Sequence, residues 1–568
     1  MKNLNLLQSF IRQFNKRRKI EFVILGFFSL FTSILELFSI GLVIPFLTIL
    51  FDLEFFQSKF PVVYNYFDSE DSLRRGVMII FVVLIIISAL IRYLLFVWQT
   101  KFSHKLGLDF GYRILSNTLN EDYLEFKKIH NSQRISVLTL KLNQVVIQII
   151  LSSLRISYIG VFSILVITSF VLYMPIQILY ILILLFCIFI SINYFFSKKL
   201  NIYGDLINSL TNKIIKLLSE AFSSHKDTII YKRNNSILKD YFKYEKQLRK
   251  SIENLKLIGA FPKYLVESIG IIGIVLFAYF NISDEDSQAS FLPTIGFLLL
   301  GLQRLLPLAQ EMHHNITEFK GGKEVGVELL GFLKKDIIGN SKSNKIDSEL
   351  IINDYLIKDL SYSYSKNLNI LSKVSFNFKA GQIVGIVGES GCGKSTLMDI
   401  LMGLIDFESG SVLVNGININ EIKSSLHKKI SHVSQKVYLS DKSIIENISF
   451  KRSVSEKEIK KINSLISMCE LTDLVESLPD GLNTIVGENG SFLSGGQVQR
   501  IGLARALFRN PSIMFLDEFT GALDSKTESK ILETIVKLNS TLGITIIFIT
   551  HNHDILKYAD LVVKLDKQ

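Results

Sequence analysis

The feature that most constrains this chain is a series of long apolar segments that ends near residue 310. A helix needs roughly 20 apolar residues to cross the hydrocarbon core of a bilayer. Because lipid offers the backbone no hydrogen-bond partners, segments of this length indicate membrane-spanning helices. The mean hydropathy of +0.34 is also too high for a purely soluble protein. The sequence therefore predicts six transmembrane helices, at Ile20–Leu50, Val77–Trp98, Val145–Tyr173, Ile176–Phe196, Leu255–Ile282 and Ser290–Glu311.

Basic residues mark one side of the predicted bundle. Lys16–Lys19 precede the first span, and the segments 101–142 and 197–254 are rich in Lys and Arg, whereas the loops around Asp68 and Asp284 are acidic. Basic residues concentrate in cytoplasmic loops, so we expect these three segments, and with six spans both termini, in the cytoplasm. The net charge of +11 then indicates contact with anionic membrane lipid and no nucleic-acid partner.

The two long basic segments have a helical period, so we expect the membrane helices to extend far into the cytoplasm. A polar stretch with a glycine pair, residues 321–348, predicts a linker between a transmembrane domain at 1–320 and a second domain at 349–568. In the second domain, short β-rich runs such as Gln382–Val387 and Ile513–Leu516 alternate with helical patterns. This alternation predicts an α/β fold.

A glycine-rich segment directly after the apolar run Ile383–Val387 carries the clearest chemical signal. It fits the phosphate-loop pattern, in which a strand leads through Gly-x-x-x-x-Gly-Lys-Ser into a helix. Backbone N–H groups of such a loop close on phosphate oxygens, the lysine reaches the terminal phosphates, and the hydroxyl ligates Mg²⁺. The alternative is a glycine-rich turn of no function. We expect the nucleotide-binding residues to be Gly388, Glu389, Ser390, Gly391, Cys392, Gly393, Lys394, Ser395 and Thr396.

Two carboxylates, Asp517 and Glu518, end the apolar run Ile513–Leu516. Downstream of a phosphate loop, the first carboxylate suits a metal ligand and the second suits a base that polarises water. The alternative is a buried strand with a solvated acidic end. We expect Asp517 and Ser395 to hold Mg²⁺ and Glu518 to act on the attacking water.

Between these motifs lies Leu493-Ser494-Gly495-Gly496-Gln497, and here the sequence resembles the ATP-binding cassette (ABC) family. The segment could be an ordinary glycine-rich helix start, but Ser494 and Gly495 at a helix N-terminus offer a site for an anion. The resemblance covers essentially the whole chain and implies an exporter-type half-transporter, with a helical membrane bundle fused to an α/β phosphate-loop cassette. It also implies ATP and Mg²⁺ as cofactors, a homodimer in which each ATP lies between two cassettes, and the inner membrane of a bacterial cell.

The resemblance assigns further residues of the nucleotide site. Tyr364 resembles the aromatic residue that stacks on adenine, with an edge-strand tyrosine as the alternative. Gln435 resembles the glutamine that senses Mg²⁺ and the attacking water, and His551 resembles the switch histidine that touches the γ-phosphate. Asp524 belongs to a segment that resembles the D-loop, although Gly521 stands where the family usually has serine. The implied catalytic set is Glu518, His551, Gln435 and Lys394.

Basic residues within the predicted spans bear on the cargo. Charged groups are costly in lipid and therefore indicate a ligand or a partner. Each of them could instead snorkel to the interface or pair with a carboxylate such as Glu36 or Glu267. Together they predict a positively lined cavity for an anionic group, with Arg92, Arg155, Lys263 and Arg304 as the candidate substrate residues.

Three segments, 51–67, Phe261–Lys263 and 302–307, resemble the PglK family of lipid-linked oligosaccharide flippases. The first has the composition of an amphipathic interfacial helix, with a ragged extension of the first span as the alternative. Lys263 stands where the family has an arginine. The resemblance implies ATP-driven movement of an amphiphilic, anionic lipid-linked oligosaccharide from the cytoplasmic to the outer leaflet. An exporter of a peptide or hydrophobic drug, and a regulatory ATP-binding subunit without transport, are the alternatives.

Overall fold

The chain divides into two compact units. One comprises Met1–Glu121 and Glu125–Ile337, and the other comprises Asp122–Leu124 and Ile338–Gln568. The computed structural model describes residues 2–51, 53–59, 61–173, 176–281, 307–334, 350–365, 368–521, 525–550 and 553–566.

The first unit is helical throughout its described residues. Three of its helices are far longer than a bilayer crossing requires: α6 has 50 residues, and α11 and α13 have 48 each. At a rise of about 1.5 Å per residue they are roughly 70–75 Å long, so they extend well beyond a hydrocarbon core of about 30 Å. The helices are α1 Lys2–Arg12, α2 Lys16–Gly41, α3 Val43–Phe51, α4 Leu53–Lys59, α5 Pro61–Tyr64, α6 Glu70–Leu119, α7 Tyr123–Lys128, α8 Asn131–Ser136, α9 Leu142–Gln144, α10 Ser152–Tyr173, α11 Ile176–Ser223, α12 His225–Ile230, α13 Asn234–Asn281, α14 307–321 and α15 Lys323–Lys334.

Within the described residues, three helical segments are long and apolar enough to cross a membrane: Lys16–Leu50, Glu70–Leu119 and Asn131–Ser169. They contain the first three predicted spans, apart from the last residues of the third. The fourth and fifth predicted spans lie almost wholly in the helices α11 and α13. Most of the sixth, Ser290–Glu311, lies outside the described residues.

Local sequence explains where the longest helix begins. The Ser69 hydroxyl accepts a hydrogen bond from the Ser72 N–H, and the Ser72 side chain accepts one from the Ser69 N–H in return. Glu70 and Asp71 in the first turn oppose the positive end of the helix dipole. This capping box ends the connection between α3 and α6 and starts α6.

The connection between α3 and α6 forms the separate short helices α4 and α5, so it is not an irregular extension of the first span. Ile49 and Phe56 are buried against Leu73 and Val77 at the start of α6. Val62 on the same connection is 83% exposed. The connection therefore has its own small core and an outward apolar surface, as an amphipathic interfacial segment requires.

The helix that carries most of the third span contains two π-helical stretches, Val137–Lys141 and Val145–Leu151. Each lies inside an otherwise continuous helical path from α8 through α9 to α10. π-Helical turns are rare and hold one residue more than an α-helical turn. The side chains that follow each stretch therefore point in different directions from those that an unbroken α-helix of the same sequence would give them.

The predicted linker at 321–348 begins instead with a packed helix. Helix α15 buries Val325, Leu329 and Leu333 in the core of the first unit. A Cβ placed on Gly326 would lie 2.3 Å from Ile149 Cδ1, so glycine here permits close packing. The glycines that predicted a flexible segment serve helix contacts in this region; residues 335–348 lie outside the described part of the chain.

The second unit contains two β-sheets. A five-stranded parallel sheet has the order β6-β7-β8-β3-β9, and an antiparallel sheet has the order β2-β1-β4-β5. β3, β7 and β8 are almost continuously buried, as expected of a parallel sheet covered on both faces. The strands are β1 Asp354–Ser365, β2 Leu368–Lys379, β3 Ile383–Gly388, β4 Ser409–Val414, β5 Ile417–Asn418, β6 Ile430–Val433, β7 Ile513–Asp517, β8 Thr545–Ile549 and β9 Leu561–Leu565.

Seven helices accompany these strands in the described part of the second unit. The parallel order brings the carboxyl ends of β3, β7 and β8 to one edge of the sheet, which is where ligands bind in open α/β folds. The helices are α16 Lys394–Leu401, α17 Ile419–Leu426, α18 Ile444–Ser449, α19 Glu456–Met468, α20 Thr472–Ser477, α21 Gly495–Phe508 and α22 Ser525–Leu542.

Candidate nucleotide site and membrane cavity

The phosphate loop connects β3 to α16, as its sequence predicts. Gly391 and Gly393 have φ of +84° and +95°, in the left-handed region that favours glycine. A Cβ on Gly393 would lie 2.7 Å from Ile370 Cγ2, and one on Gly388 would lie 2.4 Å from the Leu565 carbonyl oxygen. The loop is therefore tightly curved, and a curved loop of this kind lets successive backbone N–H groups point towards a common phosphate.

Lys394, the first residue of α16, is buried, and its Nζ donates hydrogen bonds to the carbonyl oxygens of Gly388 (2.8 Å) and Glu389 (3.0 Å). The lysine therefore lies across its own loop. Tyr364 in β1 is half-exposed, and its hydroxyl lies 3.4 Å from Thr396 Oγ1. The structure thus brings this tyrosine next to the phosphate-loop helix, while adenine stacking stays a prediction.

The carboxylates at the end of β7 meet the expected partners. Ser395 Oγ donates to Asp517 Oδ2 at 3.5 Å, which places a hydroxyl and a carboxylate together at the mouth of the loop. Burial and the adjacent negative charge of Glu518 raise the pKa of Asp517 above its usual value. Hard oxygen ligands of this kind suit Mg²⁺, so these two residues fit the predicted metal site.

Glu518 is held by groups from two other strand ends. Gln435 Nε2 donates to Glu518 Oε2 at 2.5 Å, and the Glu518 N–H donates to the Ile549 carbonyl at 3.2 Å. Glu518 has a φ of +45°, which is uncommon for a residue with a side chain. Backbone strain of this kind persists only where the surrounding structure fixes the residue. Strained residues cluster at active sites. His551 and Asp524 lie outside the described residues.

The Leu493–Gln497 segment starts α21 in the predicted way. Ser494 is the N-cap: its hydroxyl accepts from the Gln497 N–H at 3.3 Å, and Gln497 Oε1 accepts from the Ser494 N–H at 2.8 Å. These bonds lie within the motif, and Ser494 and Gly495 are exposed. An exposed helix N-terminus of this kind can bind an anion supplied by another molecule.

The membrane unit contains a cavity of about 450 Å³ that brings two of the predicted substrate residues together. Arg92 from α6 and Arg155 from α10 line it with Glu36 from α2 and Glu311 from α14. Arg92 Nη1 lies 3.0 Å from Glu36 Oε1, and Arg155 Nη1 lies 3.9 Å from Glu311 Oε1. These four side chains are therefore balanced in charge, and Arg92 follows the alternative of pairing with Glu36, while a role of the arginines in substrate binding stays a prediction.

Two residues that line the cavity, Tyr158 and Glu311, were not predicted as site residues from the sequence. Tyr158 donates its hydroxyl to Glu36 Oε2 at 2.5 Å, and Glu311 was counted only as the end of a span. A tyrosine in an apolar helix and a carboxylate at a span boundary carry no local signal of a site. The side chain of Lys263, in α13, and all of Arg304 lie outside the described residues.

Comparison with known proteins defines the class. The sequence profile of the family described as "ABC transporter" matches residues 371–521. The chain is 28% identical over 380 residues to the ATP-dependent lipid A-core flippase of Vibrio cholerae, which covers 66% of this chain and 64% of that protein. It is 34% identical over 345 residues to a putative export ATP-binding/permease protein of Rickettsia bellii, with 59% and 56% coverage. The matched regions thus span about three fifths of these relatives.

A solved structure agrees over nearly the whole chain. A bacterial Atm1-family ABC exporter with ATP bound superimposes with a TM-score of 0.76, covering 97% of this chain and 93% of that one at 19% identity. Identity this low shows the fold alone. The chain carries an ABC transporter domain that includes residues 371–521, and it has the fold of an ABC exporter, a helical membrane domain followed by an α/β nucleotide-binding domain. The sequence prediction of family and fold class is confirmed.

Proposed function

We propose that two copies of this chain couple ATP hydrolysis to the movement of an amphiphilic lipid-linked substrate across the inner membrane of a bacterial cell. The observation that carries the proposal is the Gln435–Glu518 contact beside the Ser395–Asp517 pair, because it joins a water-polarising carboxylate to a metal-binding pair at one sheet edge. We assign both termini and the nucleotide-binding domain to the cytoplasm.

Different residues of the site carry out different steps of ATP hydrolysis. The phosphate loop and Lys394 bind and orient the phosphates, and Glu518 polarises the attacking water while Gln435 fixes its carboxylate. Ser395 and Asp517, with Gln435, would hold Mg²⁺, which supplies positive charge to the phosphate oxygens when bound. His551 is assigned to the γ-phosphate by family resemblance. A strained Glu518 with fixed partners is oriented before substrate binds.

The site needs a second copy of the chain. The capping box of Ser494 and Gln497 satisfies two N–H groups at the start of α21 and leaves those of Gly495 and Gly496 available to an anion. In a homodimer, each signature segment faces the ATP bound by the partner's phosphate loop. Because one chain carries both halves of the site, the two composite sites are equivalent.

We assign the cargo to anionic lipid-linked oligosaccharides, moved from the cytoplasmic to the outer leaflet. Two arginines in a membrane cavity and relatives named lipid A-core flippases support a lipid cargo with an anionic headgroup. A peptide is the second candidate. It is favoured by 39% identity over 214 residues to the lacticin-481/lactococcin-DR transport/processing protein of Lactococcus lactis, which covers 38% of this chain and 30% of that protein. A regulatory subunit without transport is disfavoured by the complete set of hydrolytic side chains.

Reconstitution tests this assignment directly. The purified chain in proteoliposomes is assayed for ATP-dependent movement of a fluorescent lipid-linked oligosaccharide between leaflets, with Glu518→Gln as the inactive control. We expect movement with the wild-type chain only. Stimulation of ATPase activity by peptide with no effect of the lipid would overturn the cargo, and ATPase activity without movement of any probe would overturn transport.

A further inference from the structure

The two arginines of the membrane cavity are held in different ways. The carboxylate paired with Arg92 belongs to Glu36, which is 2% exposed and also accepts the Tyr158 hydroxyl. The carboxylate paired with Arg155 belongs to Glu311, which is 45% exposed and lies 3.9 Å away, beyond hydrogen-bond distance. Only Arg92 is therefore committed to an internal partner.

Arg155 makes fewer hydrogen bonds than its donor groups allow. Among the described residues its buried Nε has no hydrogen-bond partner, and the guanidinium lies 5.1 Å from the centre of the Phe96 ring. A buried donor without a partner costs free energy, so its persistence indicates a group that binds there part of the time. An anionic oxygen is the natural partner of a guanidinium.

Arg92 offers the cavity little net charge. The buried Glu36 carboxylate lies at hydrogen-bond distance from Arg92, whose side chain is 43% exposed, and opposite charges this close cancel much of each other's field. The Tyr158 hydroxyl fixes the carboxylate on its other side, so Glu36 joins α2, α6 and α10. Moving Arg92 to a ligand would take a counter-ion away from a buried carboxylate, which is unfavourable.

We propose that Glu36 is a specificity-determining residue: it withholds Arg92 and leaves Arg155 as the cation that contacts the phosphate of a lipid headgroup. This inference rests on the proposed lipid cargo and deepens it. Glu36 itself touches no cargo. Its effect is to limit the positive charge that the described cavity residues present, and thus to lower the affinity for phosphate-bearing lipids.

The chain supplies its own reporter for a binding test. Trp98 is the single tryptophan, and it lies in α6 two residues after Phe96, which lines the cavity. The full chain in detergent micelles is titrated with dihexanoyl phosphatidic acid, and Trp98 fluorescence gives the Kd. Dihexanoyl phosphatidylcholine, whose headgroup has no net charge, reports binding of the acyl chains alone. The assay contains no ATP.

Three single variants separate the roles. Arg155→Gln should raise the Kd for phosphatidic acid about tenfold, and Glu36→Gln should lower it about tenfold. Arg92→Gln should raise the Kd, because it leaves the negative charge of Glu36 in the cavity wall. Arg249→Gln is the matched control, because Arg249 is an exposed arginine paired with Glu245 on α13, away from the apolar segments. It should leave the Kd unchanged and so excludes a general effect of net charge.

The double variant keeps the test decisive if Arg92→Gln does not fold. Glu36→Gln/Arg92→Gln restores local neutrality and should return the Kd to the wild-type value. A rise in Kd for the double variant as large as that for Arg155→Gln, or an unchanged Kd in Glu36→Gln, would overturn the inference. Because binding is measured without ATP, intact binding with no ATP-dependent movement in proteoliposomes contradicts the proposed transport instead.

Discussion

In the nucleotide-binding domain, the groups that face the site come from the ends of neighbouring strands and from the loops that follow them. Asp517 and Glu518 lie at the end of β7, beside the β3 loop that carries Lys394 and Ser395. In the membrane unit, the four charged groups of the cavity come from four separate helices between residues 36 and 311. The first arrangement is set by local chain geometry, and the second by how long helices pack.

The two arrangements also differ in how charge is compensated. The nucleotide site keeps Asp517 and Glu518 adjacent, and this proximity contributes to the raised pKa of Asp517. The cavity instead pairs each arginine with a carboxylate. Two adjacent carboxylates suit a cation that arrives with a polyphosphate, whereas a cavity whose charges are paired remains stable in the membrane between ligands. Four predictions test this contrast.

The largest effect is expected at the nucleotide site. Glu518→Gln removes the carboxylate that polarises water and keeps its size, so steady-state ATPase activity should fall by about 10²–10³-fold. ATP affinity should change less than about twofold. The exposed Glu533→Gln on α22 is the matched control and should hydrolyse ATP at the wild-type rate. A fall of less than tenfold in Glu518→Gln would contradict the role assigned to this residue.

The two ion pairs of the cavity should contribute unequally to stability. Arg92→Gln removes a counter-ion of the buried Glu36 and should lower the free energy of unfolding by about 3 kcal/mol. Arg155→Gln breaks only a long, half-exposed pair and should cost less than about 1 kcal/mol. Thermal unfolding of the purified variants in one detergent measures both. Equal losses would show that the two pairs are equivalent.

Glycines in the two units should tolerate alanine differently. Gly393→Ala places a Cβ against Ile370 at a φ of +95°, and strain of about 1–3 kcal/mol should weaken ATP binding about tenfold or more. Gly326→Ala meets only the end of the flexible Ile149 side chain, and alanine gains about 1 kcal/mol of helix propensity. Its unfolding should stay within about 1 kcal/mol of wild type. ATP titration and thermal unfolding check the pair, and a larger loss for Gly326→Ala would reverse the order.

The smallest effect concerns an exposed charge in the nucleotide-binding domain. Hydrogen bonds from Lys451 and from Ser455 at the N-terminus of α19 lower the pKa of Glu458 from 4.5 to about 2. Because the folded-state pKa is lowered, the stabilisation is present above pH 4.5 and is lost as the pH falls towards 2. The small difference in melting temperature between wild type and Glu458→Gln should therefore shrink between pH 6 and pH 3. A constant difference would exclude the charged hydrogen bonds as its cause.

The same contrast explains what the sequence could predict. The phosphate loop, Asp517 and the signature segment are short, contiguous motifs, so residue types and spacing alone predicted their elements and their proximity to strand ends. The Gln435–Glu518 contact joins residues 83 apart and was expected only through family resemblance. The sequence offered Glu36 as a possible partner of any of the basic residues, but it could not select Arg92 or find Tyr158, because helix packing determines which side chains share a cavity.

The predicted linker shows a second limit of local patterns. Gly321 and Gly322 read alone are typical of a flexible connection. In the structure a Cβ on Gly204 would lie 3.1 Å from Gly321 Cα, so the small residues allow two helix backbones to approach closely. Distinguishing a turn glycine from a packing glycine requires knowledge of the partner helix, and that partner is more than a hundred residues away in the sequence.

The π-helical stretch Val145–Leu151 determines which way Arg155 points. An α-helix advances about 100° per residue, and a π-helical turn accommodates one residue more than an α-helical turn. If this turn became α-helical with its residues unchanged, every later side chain would turn by about 100° relative to the preceding helix. Arg155 would then leave the cavity wall with its chemistry unchanged. The place of Arg155 in the cavity wall therefore depends on how many residues one helical turn holds, and not only on the residues that line the cavity.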